Sequence, residues 1–243
     1  MFAQICTQIR ESIYGITGVT QISKGMVNYS NGTAFMISPG YLVTTSHGIH
    51  IEGNPQKPVH KHIDVIRAPD VGQSMEDVKL IAEDTYRDVA LLKIDNPRSD
   101  AHVTLVRDKV RIGTPCGSLG FPLAEVEFIG GNKHYHLTER FQGASISAHR
   151  REVNPPKPDL HYCETDSLMY GGSSGCPGFL VEGDVWGMQT KSLIEGLKPK
   201  IVKGKKGKEA RPNPTIPGPR MAISLWVPSS EIIDFVRKYG INV

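Results

Sequence analysis

The sequence predicts an all-β fold: two packed antiparallel six-stranded β-barrels followed by a C-terminal α-helix. Three observations lead there. Short apolar, β-branched runs recur along most of the 243 residues, divided by turns drawn from 25 Gly and 17 Pro. The runs fall into two series with a break near 105–113. Helical periodicity is confined to the two ends. Closing each series into a barrel removes the exposed strand edges that so many short strands would otherwise leave.

The elements follow in order. A weak helical pattern spans Gln4–Tyr14. TAFMIS (33–38) and YLVTTS (41–46) flank Pro39-Gly40, a strand, tight turn, strand signal. IDVIR (63–67), DVKLIA (77–82) and DVALLKI (88–94) complete the first series, interrupted by HIEGNPQKPVHKH (50–62). The second series runs PCGSLGF (115–121), VEFIG (126–130), KHYHLTE (133–139), FQGASISAH (141–149) and HYCETD (161–166). FLVEGDVWGMQT (179–190) reads as a hairpin with Gly183-Asp184 at its tip, and MAISLWV (221–227) as a last strand. Trp186 and Trp226 sit in apolar strands and are expected in the core. Pro228-Ser229-Ser230-Glu231 then caps a helix over 229–239, which Gly240 stops. The predicted division is 1–108 and 109–243.

Hydrophobic residues at 39% and charged residues at 22% exclude a disordered chain, and no apolar run approaches the length of a membrane span. Net charge is only +3, yet the segment from Lys191 to Arg220 alone carries nine Lys/Arg against two Glu. Residues 193–219 therefore predict a long basic surface loop. Such a loop fits an acidic partner or nucleic acid, but it lacks aromatic residues for stacking on bases. The four Cys (6, 116, 163, 176) form no C-x-x-C unit, so four free thiols are expected. The pairs His60/His62 and His134/His136 lack a third ligand by spacing, and neither a metal nor another cofactor is expected. The N-terminus shows no secretory signal. That predicts a cytoplasmic protein, or a secreted one if a leader precedes Met1.

Three places carry chemistry. His47 follows an apolar strand directly, Asp88 opens a buried one, and Ser174 lies in the run YGGSSGCPGF. Each has a bland reading alone: a satisfied histidine, a turn aspartate, a Gly/Ser turn. Together they supply what nucleophilic acyl transfer needs: a hydroxyl, an imidazole base and a carboxylate to orient the base. The glycines around Ser174 suit a tight turn whose backbone amides, those of Gly172 and Ser174, converge on a developing oxyanion. The chain order His, Asp, Ser would place the site between the two barrels.

GTAFMISPGYLVTTSH (32–47), RDVALLKI (87–94) and TDSLMYGGSSGCPGFLVEGDVWGMQT (165–190) resemble the trypsin-like (chymotrypsin-fold) serine proteases, nearest the HtrA/Deg branch. The resemblance covers roughly 15–240, apart from 50–62 and 193–219. It implies His47 as general base then acid, Asp88 as its orienting partner and Ser174 as the acylated nucleophile. It further implies Leu168, Met169 and Tyr170 on one wall of the specificity pocket, with Thr190, Lys191 and Ser192 as an edge for a protein or peptide substrate.

Three departures from the family pattern matter. Ser173 stands where digestive trypsins carry the Asp that a freed N-terminus pairs with, so that activation switch is not expected. Leu168 replaces the Asp that selects Arg or Lys, which predicts an apolar residue before the cut. The chain ends at Val243 without the PDZ module common in HtrA proteins. An activating partner stays open. The alternative from a different class is a protease-fold binding or regulatory module.

Overall fold

The computed structural model describes residues 2–23, 26–70, 75–122, 125–129, 132–167, 169–195 and 221–243. Most of the predicted basic loop (196–219) and Leu168 lie outside the described residues.

The chain opens with α1 (Ala3–Ile9) and a single 3-10 turn. Seven strands follow: β1 (Ile13–Ser23), β2 (Met26–Ser38), β3 (Tyr41–Thr44), β4 (His62–Arg67), β5 (Glu76–Asp77), β6 (Lys79–Asp84) and β7 (Val89–Lys93). They form one antiparallel sheet in the order β5-β4-β1-β2-β3-β7-β6. The second series is β8 (Pro115–Gly120), β9 (Glu125–Ile129), β10 (Asn132–His136), β11 (Arg140–Glu152), β12 (Leu160–Thr165), β13 (Pro177–Phe179), β14 (Val185–Glu195) and β15 (Met221–Pro228). Six of these close into a barrel, β11-β12-β15-β14-β13-β8, while β9 and β10 pair as a separate hairpin. The helix α2 (Ser229–Arg237) ends the fold.

The all-β, chymotrypsin-like architecture is therefore present, with one correction. Only the second series closes as a six-stranded barrel. Among the described residues the first is a seven-stranded sheet whose hydrogen-bond ladder does not join its ends. The strands at its two ends are β5, only two residues long, and β6.

A second correction concerns β1. The helical pattern over Gln4–Tyr14 stops at Ile9, and Ile13 begins an eleven-residue strand that the sequence did not predict. Gly15 and Gly18 interrupt Ile13–Gln21, which weakens the strand signal. The reason for that composition is burial on both faces. Ile13 packs into the large cluster with Phe35, Val43 and Phe121, while Tyr14 and Ile16 join Met36, Leu42 and Leu92 on the other side. Gly18 carries no side chain because a Cβ there would sit 2.4 Å from the His60 ring.

The two sheets share a core. Phe35, Val43 and Leu91 of the first sheet belong to the same buried cluster as Leu119, Phe179, Val227 and Phe235 of the second half. Trp186 and Trp226 are both buried, with ring centroids 5.0 Å apart inside the barrel. The predicted serine cap of α2 is not formed. Pro228 is the N-cap, and the Ser229 hydroxyl donates to the Val106 carbonyl, tying the helix to the linker between the two series.

Candidate active site

The register of β3 and β7 brings the first two residues together. Antiparallel pairing runs from Tyr41↔Lys93 to Thr44↔Ala90, so the chain leaving β3 lies beside the chain entering β7. His47 is on the 3-10 turn just past β3 and Asp88 immediately precedes β7. The His47 amide donates to Asp88 Oδ1 at 2.8 Å, and His47 Nδ1 lies 2.7 Å from Asp88 Oδ2. Asp88 is buried and holds φ +61°, a left-handed conformation that costs a non-glycine residue about 1–2 kcal/mol. Its carboxylate bonds hold it there.

Ser174 comes from the turn between β12 and β13. That turn is possible because Gly172 and Gly175 adopt φ +89° and +86°. It is seated on the first sheet by the Thr33 amide, which donates to the Ser174 carbonyl at 2.9 Å. The result places Ser174 Oγ 2.9 Å from His47 Nε2. Hydroxyl, imidazole and carboxylate, 127 and 41 residues apart in sequence, form one hydrogen-bonded line. Among the described residues neither the Gly172 nor the Ser174 amide donates to a backbone carbonyl, whereas those of Ser173, Gly175 and Cys176 do.

The remaining predicted residues divide. Thr190 is buried, and its hydroxyl donates to Asp88 Oδ2, a role the sequence did not reveal. Its place in β14 is a bulge between Gln189↔Trp226 and Lys191↔Leu225. The bulge turns the Thr190 side chain toward the acid while the strand continues. β13 pairs with β14 only as far as Met188. Thr190, Lys191 and Ser192 thus have a second strand on the β15 side alone among the described residues. Met169 is buried, its carbonyl accepting from the Ser192 hydroxyl at 3.0 Å, and Tyr170 is exposed. Asp166 accepts from the Ser145 amide at 3.0 Å and so braces β11.

Other positioning contacts went unseen in the sequence. Ser46 and buried His50 flank His47 and both meet Glu83 Oε2, at 2.7 and 2.8 Å. The residue before Asp88, Arg87, pairs with Asp84 and with Glu231 of α2, each at 2.9 Å. Paired polar side chains of this kind are scattered in sequence and carry no local pattern, so only their convergence identifies them. Burial pushes the thiols of Cys116 and Cys176 up to about 12 and that of Cys163 up to about 11, and all four Cys are free. No group of three or more His, Cys, Asp or Glu that could hold a metal ion occurs among the described residues. None of their helices is long and apolar enough to cross a membrane. A cavity of about 390 Å³ opens elsewhere, between the linker at Arg107–Val110, the β11–β12 strands and the first turn of α2, and none of His47, Asp88 and Ser174 lines it.

Known proteins resemble this chain in sequence and in fold. The chain is similar to a probable periplasmic serine endoprotease, DegP-like, of Rhizobium meliloti: 29% identical over 163 residues, 66% of this chain and 28% of that protein. It is also similar to the serine protease HTR4 of Rattus norvegicus: 25% over 173 residues, 69% of this chain and 31% of that protein. The match thus spans under a third of the length of these relatives. Among solved structures, the active form of the Rv3671c protease from M. tuberculosis superposes with TM-score 0.68 at 16% identity, covering 98% of this chain and 85% of that one. The HtrA-type protease AlgW with a tripeptide gives 0.66 at 18% identity, covering 98% and 63%. At such identities these two show the shared fold. The family model described as a trypsin-like peptidase domain matches residues 32–188, and the chain therefore belongs to the trypsin-like peptidase family.

Proposed function

We propose that the protein is a serine endopeptidase acting through Ser174, His47 and Asp88. The observation that carries this reading is the line of hydrogen bonds: His47 Nε2 at 2.9 Å from Ser174 Oγ, and His47 Nδ1 at 2.7 Å from Asp88 Oδ2. In it His47 removes the proton from Ser174 Oγ as that oxygen attacks the substrate carbonyl carbon. The carbonyl oxygen, now negative, takes hydrogen bonds from the amides of Gly172 and Ser174, which are otherwise uncommitted to backbone carbonyls among the described residues. His47 returns its proton to the leaving amine, leaving an acyl-enzyme on Ser174. Water, deprotonated by His47, then releases the acid. Asp88 keeps the imidazole in the tautomer that accepts at Nε2 and stabilises the cation that forms.

Substrate lies along Thr190, Lys191 and Ser192 as an added strand, since that edge is otherwise unpaired among the described residues. The side chain before the cut rests near Met169 and Tyr170, and an apolar residue is preferred there. The two halves, 1–108 and 109–243, each supply part of the site. The names of the relatives, a probable serine endoprotease and a serine protease, support the protease reading over a protein-binding module that merely keeps the fold. The bacterial name is periplasmic, which lends the expected cytoplasmic placement no support.

The test is hydrolysis of labelled casein and a peptide library by the parent and by Ser174→Ala. The parent is expected to cut after apolar residues and to be labelled at Ser174 by a fluorophosphonate. The variant is expected to lose about 10⁴-fold or more in kcat. Equal turnover by the two proteins would end the proposal. Cleavage confined to Arg or Lys would end its specificity part.

A further inference from the structure

The nucleophile turn leaves one of its own hydroxyls unused. Ser173, beside the nucleophile, is buried, and its hydroxyl has no hydrogen-bond partner among the described residues. The Ser173 amide donates to the Tyr170 carbonyl at 3.0 Å, which leaves the other end of the Gly172–Ser173 peptide, the Gly172 carbonyl, to be held; this peptide comes between the Gly172 and Ser174 amides along the chain.

From the geometry we infer that Thr33, on β2 of the opposite sheet, is the positioning residue that holds the oxyanion-binding turn in its working shape, through a single buried hydroxyl. The inference rests on the serine protease reading above. Thr33 is fully buried. Its Oγ1 receives the Phe121 amide at 3.0 Å and the Cys176 thiol at 3.3 Å. A hydroxyl has two acceptor sites and one proton, so with both acceptor sites filled the proton has one remaining use. It is donated to the Gly172 carbonyl at 3.1 Å. The direction of that bond is set by its neighbours rather than chosen freely. Burial pushes the Cys176 thiol up to about 12, so it stays protonated and keeps its place as a donor.

The same residue grips the turn with its backbone. Its amide donates to the Ser174 carbonyl at 2.9 Å, and its own carbonyl accepts from the Thr44 hydroxyl at 2.7 Å. A Cβ on Gly175 would lie 1.9 Å from that carbonyl oxygen, so the turn approaches Thr33 as closely as a chain can. Fixing the Gly172 carbonyl fixes the plane between the two oxyanion amides, and hence the angle at which they meet. Such geometry is worth much in rate, because a misplacement near 1 Å costs on the order of 10²-fold.

The experiment compares Thr33→Ser with Thr33→Ala, which differ by the hydroxyl alone, and adds the isosteric Thr33→Val. Turnover of labelled casein, the fluorophosphonate inactivation rate and the urea midpoint are read for each. Thr33→Ser is expected to stay within about threefold of the parent. Thr33→Ala and Thr33→Val are expected to lose about 10- to 100-fold in kcat and in inactivation rate with KM within about twofold. Should Thr33→Ala not fold, the Val and Ser pair carries the comparison. Equal rates for hydroxyl-bearing and hydroxyl-free variants overturn the inference, as does a loss confined to KM or to the urea midpoint. A parent that neither cuts casein nor takes the label removes the protease reading and this inference together. An active parent with an unaffected Thr33→Ala removes only the inference.

Discussion

Thr190 and His47 meet on one oxygen: Asp88 Oδ2 accepts the Thr190 hydroxyl and lies 2.7 Å from His47 Nδ1. The barrel therefore contributes a hydrogen bond to the acid of the other sheet. It does so from β14, whose Thr190, Lys191 and Ser192 form the proposed substrate edge.

If that bond orients the carboxylate, Thr190→Val leaves Asp88, among the described residues, with the His47 contacts alone. A loss of about tenfold in kcat is expected, with Thr190→Ser close to the parent. Steady-state kinetics on labelled casein decide it. Unchanged kcat in the valine variant would make the Thr190 hydroxyl dispensable.

Gly175→Ala introduces two conflicts at once. The residue needs φ +86°, and its new Cβ would fall 1.9 Å from the Thr33 carbonyl oxygen. That neighbour is backbone and cannot swing aside. A loss of about 2 kcal/mol or more in stability is expected, together with Ser174 being drawn away from His47. Urea unfolding and fluorophosphonate labelling should both register the change. A variant with the parent's midpoint and labelling rate would contradict the packing described.

His60 supplies a pH dependence. Burial holds its imidazole below the ordinary histidine range, aided by repulsion from nearby His50, while a hydrogen bond with the His50 backbone opposes the shift. Its Nδ1 is 3.1 Å from the Thr20 hydroxyl. In the unfolded chain the ring takes up a proton near pH 6.5; in the folded protein it does so only at lower pH. The unfolded state thus binds more protons in that window. Stability is full above about pH 6.5 and is lost as pH falls through the folded value, with a slope of at most about 1.4 kcal/mol per pH unit. Urea midpoints between pH 7.5 and 5 should fall more steeply for the parent than for His60→Gln. Parallel slopes would show that His60 carries none of the acid sensitivity.

Much of the site was legible because its parts lie in local patterns. His47 ends an apolar strand, Asp88 precedes VALLK, and Ser174 sits among glycines. Each pattern survives in one dimension because the constraint, a strand end or a tight turn, is itself local. Thr33 and Thr190 were different. A threonine in a strand is what β-propensity alone favours, so nothing in TAF or QTK distinguishes a hydroxyl that holds a carboxylate from one that merely packs. β1 was missed for the related reason that its Gly and Thr positions are dictated by neighbours far along the chain, His60 and Leu137 among them.

What the amino-acid order determined by itself is most of the strands and turns, β1 excepted, and three side chains whose chemistry suits acyl transfer. What only the folded molecule decided is how those groups are held: an open seven-stranded sheet beside a closed barrel, a bulge that turns Thr190 toward Asp88, and a threonine from one sheet clasping the turn of the other. The physical reason is range. Alternation and turn chemistry act between residues a few positions apart, whereas hydrogen bonds between buried hydroxyls, carboxylates and carbonyls depend on a register that exists only after the two sheets have packed.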